Sequence, residues 1–298
     1  MRRKGTRTTH PERDRESRQF LTVVKRALAE DIGRGDITTD AVVPPDERAL
    51  GIIFAKEEGV LCGVDIAKMV FEQVDPAIDF QKQLNDGSSL TSGATIAIVI
   101  GKAASCLKAE RTALNFLQRL SGIATLTKKY VDAAHQRIKI LDTRKTTAGL
   151  RAMEKYAVRA GGGQNHRFGL YDMVMIKDNH IQIAGSITEA VNRVRDKRKK
   201  HYVEVEVKTM SEMKEALALR VDRIMLDNMN VNQIAQAIDL VRSMPGTTEI
   251  EISGGVEIED IEELASSGAD YVSVGALTHS ARALDIAMKM KPLGPKAI

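Results

Sequence analysis

The stretch Ile138-Lys139-Ile140-Leu141-Asp142-Thr143-Arg144-Lys145-Thr146-Thr147 reads as the end of one element and the beginning of another. Residues 138–141 form a short apolar run with the pattern of a buried strand, and beyond them Leu150, Met153 and Ala157 recur at helical spacing. Between the two lie adjacent cations, followed by hydroxyls expected to open the next helix. Such a junction makes a poor core and a good receptor for an anion.

The same unit repeats toward the carboxyl terminus. Strand-like runs occur at 138–141, 173–176, 203–207, 223–226, 249–252 and 271–274, and the first five are each followed by helical periodicity, as at 187–194, 213–219, 234–241 and 258–265. Six β/α units imply a parallel sheet, either doubly wound or rolled into a barrel. The strand ends favour the barrel, because a β/α barrel gathers its chemistry at the carboxyl ends of its strands. Those ends carry Arg144 and Lys145, then Lys177 and Asp178, Glu206, Asp227, Ser253-Gly254-Gly255, and Gly275-Ala276. The order runs from basic to acidic to glycine-rich. It describes a cation-lined anion pocket, a wall that favours a metal, and a phosphate cradle.

Toward the amino terminus the pattern changes. Strands are predicted at 50–55, 78–81 and 95–100, with a helix over 64–73, which together suggest an α+β domain over 19–114. A helix should open near Ser17 and carry Phe20, Val23, Val24, Ala27 and Leu28. The acidic, glycine-rich segment 30–39 ends it as a turn, since two glycines around one arginine are a weak phosphate-loop signal. Residues 105–135 read as two helices parted near Ser121-Gly122. Arg111 lies in the first of them, where a lone arginine is ordinarily a surface ion-pair partner. The expected division is a basic, disordered tail over 1–18, the α+β domain over 19–114 with 282–298 packing back on it, and the barrel over 115–281.

Bulk composition narrows the classes. A hydrophobic content of 43% is ample for a packed core. The 44 basic and 40 acidic residues hide an asymmetry: residues 1–18 hold Arg2, Arg3, Lys4, Arg7, Arg13, Arg15 and Arg18 against Glu12, Asp14 and Glu16, so the remainder balances at 37 against 37. A basic arm can meet nucleic-acid phosphates. Without accompanying aromatics or a motif, a solvated terminus is the better reading, and no nucleic-acid partner is expected. The acids also weigh against a transit peptide. No run is long and apolar enough to span a bilayer. Cys62 and Cys106 show no metal spacing, so a reducing cytoplasm is the default.

The strand ends suggest a division of tasks. Ser253-Gly254-Gly255 and Gly275-Ala276 would let backbone N–H groups approach a phosphate, aided by the helix amino ends that follow. Glu206 and Asp227 offer oxygen ligands to a hard cation such as magnesium; internal ion pairs with Lys145 or Lys177 are the competing reading. The segment 161–172, Gly-Gly-Gly-Gln-Asn-His-Arg-Phe-Gly-Leu-Tyr-Asp, adds His166 and Arg167 as donors. Arg167 and Arg144 could hold a dicarboxylate, with Lys177 neutralising the remaining charge.

Taken together, these motifs resemble the quinolinate phosphoribosyltransferase family. The likeness covers nearly all of residues 19–290. It rests on Glu30 to Asp36, Glu110-Arg111-Thr112-Ala113-Leu114-Asn115, Asp142 to Thr146, Gly161 to Asp172, Lys177-Asp178-Asn179-His180, Glu204-Val205-Glu206, Leu226-Asp227-Asn228, Ile252 to Gly255 and Ser273 to His279. The resemblance implies an incomplete six-stranded α/β barrel beside an amino-terminal α/β sandwich. It implies a homodimer, or a higher assembly of dimers, that joins quinolinate to phosphoribosyl pyrophosphate with Mg2+.

By the same resemblance, Arg144, His166, Arg167 and Lys177 surround the pyridine dicarboxylate, and Arg111 arrives from the neighbouring subunit. Lys145, Lys177, Glu206, Asp227, Ser253, Gly254, Gly255, Gly275 and Ala276 face the phosphoribosyl pyrophosphate and its metal, with Lys145, Lys177, Glu206 and Asp227 doing the catalytic work. Lys208 stands where family members often carry an acid. A related group of pyrophosphorylase-like proteins associated with molybdenum transport is the alternative; Asn165-His166-Arg167 and Arg111 favour the quinolinate enzyme. A non-catalytic protein that binds through its basic tail ranks last.

Overall fold

The computed structural model describes residues 11–198 and 201–293. The chain divides into two compact units, one of Met1–Thr125, Thr147–Ala160 and Ala281–Ile298, the other of Leu126–Thr146 and Gly161–Ser280.

The first unit opens with helix α1 (Pro11–Ile32), which buries Phe20, Val24 and Leu28 at intervals of about one turn. The expected tail therefore ends earlier than its composition suggests, since residues 11–18 are already helical; residues 1–10 lie outside the described residues. Proline is tolerated in a first turn because its missing N–H would have no helical partner there. The turn expected over 30–39 is confined to residues 33–36, because α1 runs on to Ile32 and a second short helix begins at Ile37. It leads to Asp36, whose carboxylate accepts the N–H groups of Thr38 and Thr39 and so caps α2 (Ile37–Val42).

Next come β1 (Arg48–Ala55), β2 (Gly59–Val60), α3 (Val64–Val74), β3 (Asp79–Lys82), β4 (Ser89–Leu90), β5 (Thr95–Lys102), α4 (Ala103–Ala133) and α5 (Arg151–Ala160). The main sheet is antiparallel, in the order carboxyl-terminal strand Ile286–Leu293, β1, β5, β3. Strands β2 and β4 form a separate pair.

Two expectations change here. The two helices predicted over 105–135 are the single 31-residue helix α4. Gly122 does not break it, but gives room to another segment: a Cβ there would come within 2.9 Å of the Arg282 carbonyl carbon and closer still to its oxygen. The other change concerns α5, which was assigned to the barrel and belongs to the first unit. Its wholly buried Glu154 accepts from Arg119 at 2.8 and 3.1 Å and from the Thr147 N–H and hydroxyl at 3.0 and 2.8 Å. Buried carboxylates need such partners, and this one binds α5 to its own unit.

The second unit contains β6 (Lys139–Leu141), β7 (Val174–Ile176), α6 (Asp178–Ala184), α7 (Ile187–Lys197), β8 (Val203–Val207), α8 (Met210–Ala218), β9 (Arg223–Asp227), α9 (Val231–Ser243), β10 (Glu249–Ser253), α10 (Ile261–Ala265), β11 (Tyr271–Ser273) and α11 (Ala276–His279). Its parallel sheet has the order β6-β11-β10-β9-β8-β7. No ladder joins β6 to β7, so this is an incomplete six-stranded α/β barrel. Gln164 partly covers the free edge of β6: its N–H donates to Ile140 O at 2.8 Å and its carbonyl accepts the Asp142 N–H at 3.1 Å.

Strand β8, Val-Glu-Val-Glu-Val, is buried at every position. Since side chains alternate across a strand, its valines share one face and Glu204 and Glu206 the other. On β9, β10 and β11 the residues Arg223, Glu251 and Ser273 are likewise buried. The unit thus buries charge where most parallel sheets bury only hydrocarbon.

Candidate active site

One cavity of about 610 Å3 lies at the carboxyl ends of the barrel strands, lined by Thr143, Arg144, Lys145, His166, Arg167, Lys177, Glu206, Asp227 and the Ser253-Gly254-Gly255 turn, together with Met175, Met225, Asn228 and Ser273. Ten of the predicted site residues are therefore gathered around a single space. Gly275 and Ala276 are not part of its lining, and Arg111 is exposed on α4 in the first unit.

The basic wall begins where β6 ends. Lys145 donates its N–H to Thr143 Oγ1 at 2.9 Å, and its carbonyl accepts the Thr278 hydroxyl at 2.8 Å, which pins the turn after β6 to α11. Gly275 works from behind: a Cβ there would stand 3.0 Å from Lys145 Cδ and 3.1 Å from His279 Nε2, so the glycine leaves a path for the lysine stem. The hydroxyl at the cavity is that of Thr143, not Thr147, which turns to Glu154.

Arg167 donates to Met173 O at 3.2 Å. Burial, and then the like charge of Arg144, hold its pKa below the ordinary arginine value. Two guanidiniums close enough to repel are a place where a carboxylate is stabilised.

Opposite lies the acidic wall. Glu206 is buried and its Oε2 sits 2.5 Å from Lys177 Nζ; Asp227 Oδ1 accepts from Asn228 Nδ2 at 3.0 Å. Lys208 turns to the rim, where its Nζ meets Asp178 at 2.8 Å; that pair holds the Asp178 carboxyl below its ordinary range and the lysine above its own. The unexpected cation is thus taken up by a surface ion pair.

In the glycine-rich wall, Gly254 adopts φ +103°, and a Cβ on it would lie 2.8 Å from Asn228 N. The loops after β9 and β10 are held together there, with the Asn228 N–H donating to Ser253 O at 2.9 Å. Nothing lies within 4 Å of the Cβ direction of Gly255, which leaves its backbone open. The helix half of the phosphate expectation does not hold. The next helical turn is a three-residue 3-10 segment, Ile258–Asp260, flanked and filled by Glu257, Glu259 and Asp260, whose charges oppose an anion. After Gly275, α11 has only four residues.

Behind the cavity lies a cluster that the strand-end reading missed. Its signal was present in the alternation of glutamates within strands that a parallel sheet should bury on both faces. His166 Nε2 lies 3.1 Å from Glu204 and 3.4 Å from Glu251, and Glu251 Oε2 accepts from Arg223 at 2.9 Å. Arg223 also reaches Glu249 at 3.0 Å and stacks over Tyr271 at 3.9 Å.

Burial alone would depress the His166 imidazole, but the two carboxylates outweigh it and raise its pKa to about 9. Burial and the neighbouring Glu251 charge raise Glu204, whereas His166, Ser273 and Arg223 overcome burial to lower Glu251. His166, Glu204 and Glu251 bring potential ligand atoms within 4.8 Å of one another. Arg223 already compensates Glu251, so the all-oxygen pair Glu206 and Asp227 at the cavity suits a hard cation better.

The chain matches two family models: quinolinate phosphoribosyl transferase, N-terminal domain, over residues 36–121, and quinolinate phosphoribosyl transferase, C-terminal domain, over 123–289. It is 44% identical over 288 residues to quinolinate phosphoribosyltransferase (decarboxylating) 1b of Nicotiana tabacum, covering 90% of this chain and 81% of that protein. The chloroplastic nicotinate-nucleotide pyrophosphorylase (carboxylating) of Arabidopsis thaliana is also 44% identical, over 95% of this chain and 84% of its own. The crystal structure of NadC from Streptococcus pyogenes superposes with a TM-score of 0.89 at 45% identity, covering 97% of this chain and all of that one.

Proposed function

The chain belongs to the quinolinate phosphoribosyltransferase family, and we propose that the cavity at the carboxyl ends of its barrel strands is where its reaction takes place. The enzyme is a decarboxylating pentosyltransferase of NAD biosynthesis: it converts quinolinate and phosphoribosyl pyrophosphate into nicotinate mononucleotide, carbon dioxide and pyrophosphate. The comparisons carry this reading and not the molybdenum-transport alternative. The observation that carries the site is the enclosure of one 610 Å3 space by a basic, an acidic and a glycine-rich wall.

In this reading Arg144 and Arg167 bind the dicarboxylate, and Lys177 takes up its remaining charge. The pyridine nitrogen attacks the anomeric carbon as the bond to pyrophosphate breaks, through a transition state with oxocarbenium character. Lys145 stabilises the departing negative charge, while Glu206 and Asp227 favour the ribosyl cation that develops beside them. The pyridinium then accepts the electron pair released when the carboxylate next to nitrogen leaves as carbon dioxide, and the ring carbon takes a proton. Holding both carboxylates in place is the main task of the basic wall.

Glu206 and Asp227 fit Mg2+ by donor type, being carboxylates on adjacent strands that line the same cavity. They would hold it next to the substrate phosphates, where it would supply Lewis-acid neutralisation of pyrophosphate. Ser253, Gly254 and Gly255 would cradle phosphate through their open backbone. Gly275 would act through the path of Lys145, with Ala276 beside it.

Arg111, exposed on α4, would complete the site of a neighbouring subunit in a homodimer or an assembly of dimers. Among the described residues no helix is long and apolar enough to cross a membrane. Two buried free cysteines, Cys62 and Cys106, suit a reducing cytoplasm. The test is chemical. Purified protein supplied with quinolinate, phosphoribosyl pyrophosphate and Mg2+ should release nicotinate mononucleotide and carbon dioxide, and Arg144→Ala should raise the KM for quinolinate without unfolding the protein. Unchanged quinolinate kinetics in that variant would remove the basic wall from the reading.

A further inference from the structure

A second charged cavity lies at the opposite end of the parallel sheet, where β8 and β9 begin. Its volume is about 590 Å3, and it is lined by Arg195, Arg198, His201, Tyr202, Arg220 and Asp222, together with Val203. Strands β8 and β9 run from here to Glu206 and Asp227 in the lining of the first cavity, so roughly 13 Å of sheet separates the two spaces.

The charge of this cavity is one-sided. Among the described residues, none of the guanidiniums of Arg195, Arg198 and Arg220 forms an ion pair with a carboxylate. The one carboxylate present, Asp222, is engaged by the backbone, its Oδ2 accepting the Val203 N–H at 2.7 Å. The sequence concentrates cations in the same place. Residues 193–201 hold Arg193, Arg195, Lys197, Arg198, Lys199 and Lys200 against Asp196 alone, in a chain whose residues 19–298 balance overall.

Arg220 sits in a conformation that most side chains avoid. It follows α8 with a φ of +50°, and its N–H donates to Leu217 O at 2.9 Å. Glycine is the usual residue where a helix ends in left-handed backbone, because it has no Cβ to crowd the carbonyl. Folding alone therefore favours glycine at 220, and the chain has arginine. The same turn orients a second cation, since the Arg220 carbonyl accepts Arg195 Nη2 at 3.1 Å.

We propose that this cavity is a second anion site, built for an oligophosphate group and separate from the space in which the reaction takes place. Guanidiniums present planar N–H forks that take phosphate oxygens in pairs, and three of them around one concave space suit a compact, multiply charged anion. An apolar cleft of about 480 Å3 shares Arg220 and Asp222 with it and is lined by Leu217, Val221, Val241 and Met244. A phosphate chain that carries an apolar group, such as a nucleobase, finds a place for both ends.

Calorimetric titration of the full chain with sodium tripolyphosphate, and separately with ATP, both without metal, tests the proposal. Arg220→Gly removes one guanidinium while relieving the left-handed backbone, so its melting temperature should hold or rise. Arg198→Glu reverses a charge without touching that turn. Each variant should weaken one binding event by about tenfold or more, with kcat/KM for quinolinate unchanged. Both leave Lys145 and the Ser253-Gly254-Gly255 turn intact, so phosphate taken up by the first cavity persists as an internal control. ATP binding tighter than tripolyphosphate upholds the site and assigns the apolar cleft to the base; equal affinities uphold it for the phosphate chain alone. No binding by the wild type, or isotherms that neither variant alters, overturns it.

Discussion

Lys177 Nζ lies 2.5 Å from Glu206 Oε2, joining the end of β7 to that of β8 in the lining of the cavity. The carboxylate is nearly buried, while the lysine side chain is 42% exposed, so the pair joins a charge shut away from water to one that solvent reaches. Truncation of Lys177 removes a charge from the reacting space and leaves Glu206 without its cation. Lys177→Ala should lower kcat/KM by roughly two to three orders of magnitude, as loss of a transition-state charge contact does. Thermal melting should shift by only a few degrees, and circular dichroism would check that the fold is kept.

Gly275 and Gly254 fail differently when given a side chain. At Gly275 the obstacle is the flexible stem of Lys145, so Gly275→Ala should fold normally and lose about tenfold in kcat/KM as the lysine shifts. At Gly254 the obstacle is Asn228, first its side-chain amide and then its backbone N, at a φ of +103°, so Gly254→Ala should also destabilise the protein by about 1–3 kcal/mol. Denaturant titration and steady-state kinetics on the two variants would separate position from stability.

Gly122 carries no chemistry, yet it should be among the least tolerant positions. A methyl group there meets the backbone carbonyl of Arg282 rather than a side chain. Gly122→Ala should cost about 3 kcal/mol or more, because backbone cannot step aside without moving a strand connection. The measurement is the unfolding midpoint at unchanged cofactor and substrate concentration.

The sign of the pH response follows from the cluster around His166. Its pKa is raised in the folded protein, from 6.5 to about 9, so the stabilisation it brings is fully present below about 6.5 and is lost as the pH rises through about 9. The wild-type melting temperature should decline across that window, and the His166→Asn variant should show a flatter profile.

Arg111 allows a test of assembly. If it completes a neighbouring subunit's site, Arg111→Ala and Lys177→Ala proteins, each inactive alone, should regain activity when mixed and allowed to exchange subunits. With one intact site expected in each mixed dimer, recovery should approach about a quarter of wild type at statistical exchange. Native mass spectrometry would verify the exchange. No recovery despite mixing would confine the site to one chain.

The strand-end charges were legible because a β/α unit places its loop residues by rule: once six strands are found, the residues after each must lie at the same end of the sheet. Arg144, Lys145, Lys177, Glu206, Asp227 and the Ser253-Gly254-Gly255 turn all follow from that rule, and all line the one cavity. Gly122 reads as a break but lies inside α4, since the sequence does not reveal that a distant carbonyl needs the space. The hydroxyls after Lys145 were expected only to open the next helix, and that of Thr147 is claimed by buried Glu154.

What the sequence determined alone was local and periodic: the alternation of strands and helices, the polar residues at their junctions, and through them the family. Only the tertiary structure decided which carboxylates meet the His166 ring, which glutamates share the barrel interior with Arg223, and which glycines exist for their neighbours' sake. Those outcomes depend on contacts a few ångströms long between residues tens of positions apart. Hydrophobic period fixes the face on which a side chain lies, but carries no record of the partner that meets it there.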